Sequence, residues 1–119
     1  MKKMTKDARK KRGKRGEDLA AAFLLAQGYE IVARNWRLPE GELDIVAQKG
    51  GCLYFVEVRS KRGVAFGAPQ ESVTAVKRRQ VAKMAGLYLA ANGQERDCAF
   101  MLAAVFSDSG RVELIEDFF

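Results

Sequence analysis

Glu42-Leu43-Asp44-Ile45-Val46-Ala47-Gln48-Lys49-Gly50-Gly51-Cys52-Leu53-Tyr54-Phe55-Val56-Glu57-Val58-Arg59-Ser60 holds two apolar runs separated by a glycine pair. Both runs are rich in branched and aromatic residues, which suit a pleated, half-buried surface. Lys49-Gly50-Gly51 supplies the turn, since glycine reaches positive φ at no steric cost. The stretch therefore predicts a β-hairpin. Side chains alternate between the two faces of a strand. Leu43, Ile45 and Ala47 are expected on one face of the first arm, with Glu42, Asp44 and Val46 on the other. On the second arm Tyr54, Val56 and Val58 share one face. Phe55, Glu57, Arg59 and, if the strand continues, Lys61 share the opposite one.

Upstream, Leu19, Ala22, Phe23 and Ala26 recur at three- and four-residue spacing, which predicts an amphipathic helix from Gly16 to a stop at Gly28. Residues 29–36 read as a strand, and Leu38-Pro39-Glu40-Gly41 as a turn. Downstream of the hairpin, residues 60–69 form a glycine-containing loop. Residues 70–91 read as a second helix with an apolar stripe through Val73, Val76, Val81, Met84, Leu87 and Tyr88, ending near Asn92-Gly93. Residues 98–106 and 111–115 complete the pattern as strands around an Asp108-Ser109-Gly110 turn. The order αβββαββ predicts one α/β domain over residues 16–119, a mixed sheet with helices packed on it.

With 119 residues, 48% of them hydrophobic and 30% charged, the chain fits one ordinary globular domain. It has no run of about 18 apolar residues, so no membrane partner is expected. Leu19 to Ala26 follows a basic leader, but Glu17 and Asp18 interrupt the approach and no small-residue cleavage signal follows, which argues against a signal peptide. Cys52 and Cys98 stand far apart and the chain has no His, so a zinc site lacks ligands. Two isolated cysteines fit a reducing cytoplasm, as small core residues.

The formal charge is +6. Nine of the 21 Lys and Arg fall in residues 1–16, against Asp7 alone, which leaves twelve basic residues facing 14 acidic ones in the remainder. Residues 1–15 show no apolar periodicity and read as a disordered basic tail. Such a tail attracts polyanions or simply keeps the chain soluble; the tail alone does not decide.

The anomaly is the pair of acids on the hairpin. An ionised carboxylate on a buried strand is costly unless it is paired or bound to a metal. Neighbouring strands lie about 4.8 Å apart, so Asp44 and Glu57 on one face can share an ion. Oxygen ligands suit Mg²⁺ or Mn²⁺. Arg59, two residues after Glu57, can support charge developing on a phosphate. This combination is what metal-assisted phosphodiester hydrolysis requires. The plainer reading is two salt bridges, Asp44 to Arg59 and Glu57 to Lys61, and spacing alone does not separate the two.

Gly41-Glu42-Leu43-Asp44-Ile45-Val46-Ala47 and Tyr54-Phe55-Val56-Glu57-Val58-Arg59-Ser60-Lys61 closely resemble the YraN-like bacterial family. Gly16-Glu17, Gly28-Tyr29, Arg34-Asn35-Trp36, Phe66-Gly67 and Lys77 match it as well, and the resemblance spans about residues 13–119. That family resembles the PD-(D/E)XK nuclease superfamily, especially archaeal Holliday junction resolvases, with a restriction-endonuclease-like αβββαβ core. The resemblance implies that Asp44 and Glu57 bind the metal and that Glu17 completes the site. It places Arg59 where the superfamily usually has Lys. Arginine stays charged and cannot act as a base, though it can hold a phosphate bidentately. Lys61 is a substitute on the same face if the strand reaches it. The family's Arg-Phe-Asp element is replaced here by Cys98-Ala99-Phe100-Met101, the loss of an ion pair for which Arg96-Asp97 can compensate.

Glu17 also has a plainer role, since an acid in the first turn of a helix is favoured by the helix dipole. Lys77 falls inside the apolar stripe of the second helix, where it either snorkels to water or points into the site to hold a phosphate. Trp36 fits core packing better than base stacking. The expected function is a Mg²⁺- or Mn²⁺-dependent endonuclease acting on DNA, including branched DNA, in preference to RNA. The alternative is a non-catalytic nucleic-acid-binding module on the same scaffold. A third reading is a structural partner of a larger assembly, using the sheet edge and Phe118-Phe119, with a homodimer among the assemblies to test.

Overall fold

A computed structural model describes residues 6–61, 74–93 and 96–116, with the backbone alone for residues 6–12. The elements are α1 (Lys6–Ala26), β1 (Glu30–Leu38), β2 (Gly41–Lys49), β3 (Cys52–Lys61), α2 (Ala75–Asn92), β4 (Cys98–Phe106) and β5 (Arg111–Glu116). The strands form one mixed sheet in the order β1-β2-β3-β4-β5. Only β3 and β4 pair in parallel, and α2 supplies the crossover that a parallel pair needs. The expected αβββαββ order and mixed α/β architecture hold.

The hairpin predicted from the glycine turn is present, with Lys49 opposite Cys52 and Ile45 opposite Val56. Gly50 and Gly51 take φ of 58° and 79°, the left-handed values that the turn demands. Two cores lie on the two faces of the sheet. Under α1, Ala20 and Leu24 pack on Ile45, Ala47, Val56, Met101, Ala103 and Val105. Under α2, Val81, Met84, Ala85 and Tyr88 cover Leu43, Val46, Leu53 and Phe55. Fully burying a residue such as Leu24 or Phe55 contributes roughly 1.5–3 kcal/mol.

Several local expectations are corrected. α1 begins at Lys6, so residues 6–15, expected as disordered tail, are helical; Lys and Arg are good helix formers. Its buried line is Gly16, Ala20 and Leu24, while Ala22 and Ala26 are exposed. The helix turns its small residues to the sheet because it comes very close there: a Cβ on Gly16 would lie 1.9 Å from Ser60 Oγ. On α2 Val76 is 68% exposed, one residue into the first turn and beyond the covered sheet. Cys98, expected in the core, is exposed at the start of β4, and Cys52 is half-buried. The loop at Phe66-Gly67-Ala68-Pro69, Val73 and Phe118-Phe119 lie outside the described residues.

Thr74 caps α2, its Oγ1 accepting from Lys77 N at 3.1 Å, and Gly93 closes it at φ 61°. Trp36 packs edge-on against Tyr88 with ring centroids 5.2 Å apart, the core role expected for it. Arg96 does not restore an ion pair; it donates to Gln48 Oε1 at 3.0 Å, while Asp97 O accepts from Leu53 N at 2.9 Å. Among the described residues no helix is long and apolar enough to cross a membrane.

Candidate functional site

The pairing of β2 with β3 runs from Lys49↔Cys52 to Ile45↔Val56 and goes no further. β3 continues alone against β4 as far as Lys61↔Phe106. The two arms of the hairpin thus fork just beyond Ile45 and Val56, and the next residues are Asp44 and Glu57. A backbone N–H freed by such a fork needs a new acceptor. Val58 N finds one in Asp44 Oδ2 at 2.9 Å. The fork therefore holds the Asp44 carboxylate in place of a ladder hydrogen bond.

Glu57 is the one buried charged residue among those described, 5% exposed. It lies within hydrogen-bonding reach of Asp44. Lys77 Nζ from α2 stands 3.6 Å from Glu57 Oε1 and Arg59 Nε 3.8 Å from the same atom. Burial, reinforced by the neighbouring Asp44 charge, pushes the Glu57 carboxyl up to about 7, against the pull of Lys77 and Arg59. Burial also raises Asp44, although the Val58 N–H and the hydrogen bond from Glu57 work against it. Both carboxyls are thus pushed upward together, each raised chiefly by burial.

The structure decides the salt-bridge question differently from either pairing that spacing allowed. Arg59 meets Glu57, not Asp44. Lys77, inside the apolar stripe of its helix, bends toward Glu57 and keeps about a third of its side chain exposed. Lys61 ends β3 on the surface and is not among the residues lining the cleft; its carbonyl accepts from Ser107 N and Oγ. Buried Arg59 Nε has no hydrogen-bond partner. Among the described residues its nearest partner is Glu57 Oε1, within ion-pair reach but beyond hydrogen-bond length, an uncommon position for a buried donor.

Glu17 lines the same cleft but is engaged elsewhere. Its Oε1 accepts from Arg34 Nε at 3.1 Å and from Asn35 Nδ2 at 2.8 Å. Arg34 Nη2 reaches Asp18 Oδ1 at 2.5 Å, and this guanidinium holds the Asp18 carboxyl below its ordinary range. Glu17 is thereby tied to β1, and among the described residues no three acidic, Cys or His side chains gather at metal-holding distance. The cleft encloses about 750 Å³ between α1, β1 and the fork, and Lys14, Arg34, Arg37 and Arg59 bring cations to its wall. Arg37 is partnered by Glu42 at 2.9 Å.

Sequence reasoning gave Arg34 and Asn35 no role. Their signal was an Asn inside a strand, a residue disfavoured there and tolerant of left-handed backbone. It takes φ 52°, the one positive-φ residue other than glycine among those described.

A model of the uncharacterised protein family UPF0102 matches residues 16–115. The chain is 54% identical over 83 residues to a UPF0102 protein of Symbiobacterium thermophilum, covering 70% of each chain. It is 46% identical over 101 residues to one of Moorella thermoacetica, 84% of each, and 43% identical over 105 residues to one of Nocardia farcinica, 87% of this chain and 83% of that one. The family match takes in α1 from Gly16, the forked hairpin and α2, and on that ground the chain belongs to the UPF0102 family, the YraN-like family its hairpin motifs resemble.

Proposed function

We propose that this protein is a metal-dependent nuclease that hydrolyses phosphodiester bonds in DNA, branched DNA included. The observation that carries the reading is the pairing of buried Glu57 with half-buried Asp44 at the fork, with the Arg59 Nε 3.8 Å from Glu57 Oε1 and making no hydrogen bond among the described residues. The donor set fits a hard divalent cation: two carboxylates and no soft ligand, with Glu57 held protonated up to about 7 until something more strongly positive than Lys77 and Arg59 displaces the proton. Mg²⁺ commonly takes one or two protein carboxylates and keeps several waters, so the want of a third acid is compatible with it; Mn²⁺ fits the same set. Bound between Asp44 and Glu57, the ion would supply Lewis acidity toward a phosphoryl oxygen.

The chain's own residues divide the remaining work. The Val58 N–H orients Asp44. Lys77 partly neutralises Glu57 and keeps it turned toward the fork. Arg59, about a third exposed on the cleft wall, holds a phosphate through its guanidinium. Lys14 draws the polyanion to the cleft. The free cysteines and the lack of a membrane-spanning helix among the described residues support a cytoplasmic place of action.

The test is to incubate the purified chain with linear, nicked and four-way DNA, with and without Mn²⁺. Cleavage that needs Mn²⁺ and is lost in Asp44→Ala and Glu57→Ala is the expected result. No cleavage by the native chain, or equal cleavage by both variants, overturns it. A second reading, a nucleic-acid-binding module without catalysis, is favoured by Arg59 itself, which cannot serve as a base. That reading expects metal-independent, salt-sensitive binding that weakens when residues 1–15 are removed.

A further inference from the structure

Besides the irregularity between Ile31 and Ala33, the ribbon of β1 and β2 changes face at one further step. Ala33 and Trp36, three residues apart, both pack into the core under α2, and so do Leu43 and Val46 on the partner strand. Residues on one face of a regular strand are separated by an even number. The odd spacing on both strands means that between these positions each has one residue out of alternation. The register runs Ala33↔Val46, Arg34↔Ile45, Trp36↔Leu43. Arg34 and Ile45 face α1, the first bonded to Glu17 and Asp18 and the second buried in the α1 core. The opposed pair left over is Asn35 and Asp44.

We propose that Asn35 is the positioning residue for Asp44: its left-handed backbone, pinned by Glu17, turns Asp44 out of the β2 pleat and into the fork beside Val58. Asn35 sits at φ 52° and its Nδ2 donates to Glu17 Oε1 at 2.8 Å. Asn and Gly tolerate that backbone; a β-branched residue does not. With Asn35 in a regular strand conformation, Asp44 would return to plain alternation and the skipped step would close. The Val58 N–H would lose its acceptor. This assigns Glu17 a role through β1 rather than at the ion, consistent with the two donors from β1 that occupy its Oε1.

The inference rests on Asp44 being a site residue, but its decisive readout needs no metal. Amide hydrogen exchange of the ¹⁵N-labelled full chain reports the Val58 N–H. In Asn35→Val, Val58 is expected to lose about tenfold or more of its protection relative to the amides of residues 53–56, while Asn35→Gly keeps it. Mn²⁺ affinity should follow, weakened about tenfold in Asn35→Val and held within about threefold in Asn35→Gly. Unchanged Val58 protection in Asn35→Val, or an equal loss in Asn35→Gly, overturns the assignment. If Asn35→Val lowers protection across the whole sheet, the milder Asn35→Ala is read by the same criterion. A native chain that binds no Mn²⁺ sinks the metal reading, and Val58 still decides the role of Asn35.

Discussion

Lys77 Nζ and Arg59 Nε approach the same oxygen of Glu57, at 3.6 Å and 3.8 Å, yet that carboxyl is still pushed up to about 7 and is only partly ionised at neutral pH. Burial of Glu57 and the charge of Asp44 outweigh them. Lys77 is the nearer and comes from a different element, so it can be removed without touching β3. Lys77→Met is expected to move the Glu57 titration above about 7, and Lys77→Arg to leave it near the native value. Carboxyl ¹³C NMR across pH 5–9 measures both. A lower value in Lys77→Met would mean that Lys77 does not act on Glu57.

The same carboxyl makes stability depend on pH. Its ordinary value is 4.5 and its folded value is about 7, so between these the folded chain keeps a proton that the unfolded chain has released. The stability this contributes is complete below about 4.5 and is lost as pH rises through about 7. Asp44, also raised, acts in the same direction. Asp18 is lowered, and its opposite contribution falls at more acidic pH. Without metal, the urea midpoint should fall between pH 5 and pH 8, by up to about 3 kcal/mol of stability. Glu57→Gln should flatten that slope, and added Mn²⁺ should restore stability at pH 8, where the acids are free to bind it. A midpoint that rises with pH in the native chain contradicts the buried, protonated Glu57.

Gly16 and Ser60 mark the closest approach of α1 to β3. A Cβ at Gly16 would stand 1.9 Å from Ser60 Oγ but 3.1 Å from Ser60 Cβ. Gly16→Ala should therefore cost about 1–3 kcal/mol despite alanine's better helix propensity, because the helix must lift or the serine must turn. Ser60→Ala removes the clashing oxygen, which is itself buried without a hydrogen-bond partner among the described residues. The double variant should recover most of the loss, a coupling that a double-mutant cycle by urea denaturation reads directly. Additive losses would place the strain elsewhere.

Period and turn chemistry carried the element order, the hairpin and the acid pair, because those signals are local. What they missed depends on neighbouring strands. Leu43 was expected to share a face with Ile45, but it lies under α2 while Ile45 lies under α1, since the skipped step opposite Asn35 is a property of two strands together. Glu17 was expected to complete the site; the structure adds that Arg34 and Asn35 of β1, 17 and 18 residues away, donate to its Oε1, contacts that spacing along the chain does not announce. On α1 the expected Leu19 and Phe23 do pack on the core, half-buried, but the deepest line runs through Gly16, Ala20 and Leu24, where the helix comes closest to Ser60. Hydrophobic spacing says which residues avoid water; it does not say how closely a helix comes to its sheet.

Arg59 offers the sharpest separation of binding from catalysis. Its buried Nε lies 3.8 Å from Glu57 Oε1 while the side chain as a whole is about a third exposed at the cleft, an arrangement suited to a second anion beside Glu57. Arg59→Ala should weaken DNA binding and lower the salt slope by about 1, the signature of one lost phosphate contact. Arg59→Lys keeps the charge but loses the planar fork, so it should keep the slope and bind DNA less tightly. For cleavage the two readings part. If Arg59 only holds phosphate, Arg59→Lys cuts no faster than the native chain. If proton handling at this position limits the rate, Arg59→Lys cuts faster at alkaline pH, where lysine can release its proton. Fluorescence anisotropy across a salt series and single-turnover cleavage across pH, on the same variants, distinguish these outcomes. An Arg59→Ala chain with unchanged slope and affinity would remove Arg59 from the DNA-binding surface altogether.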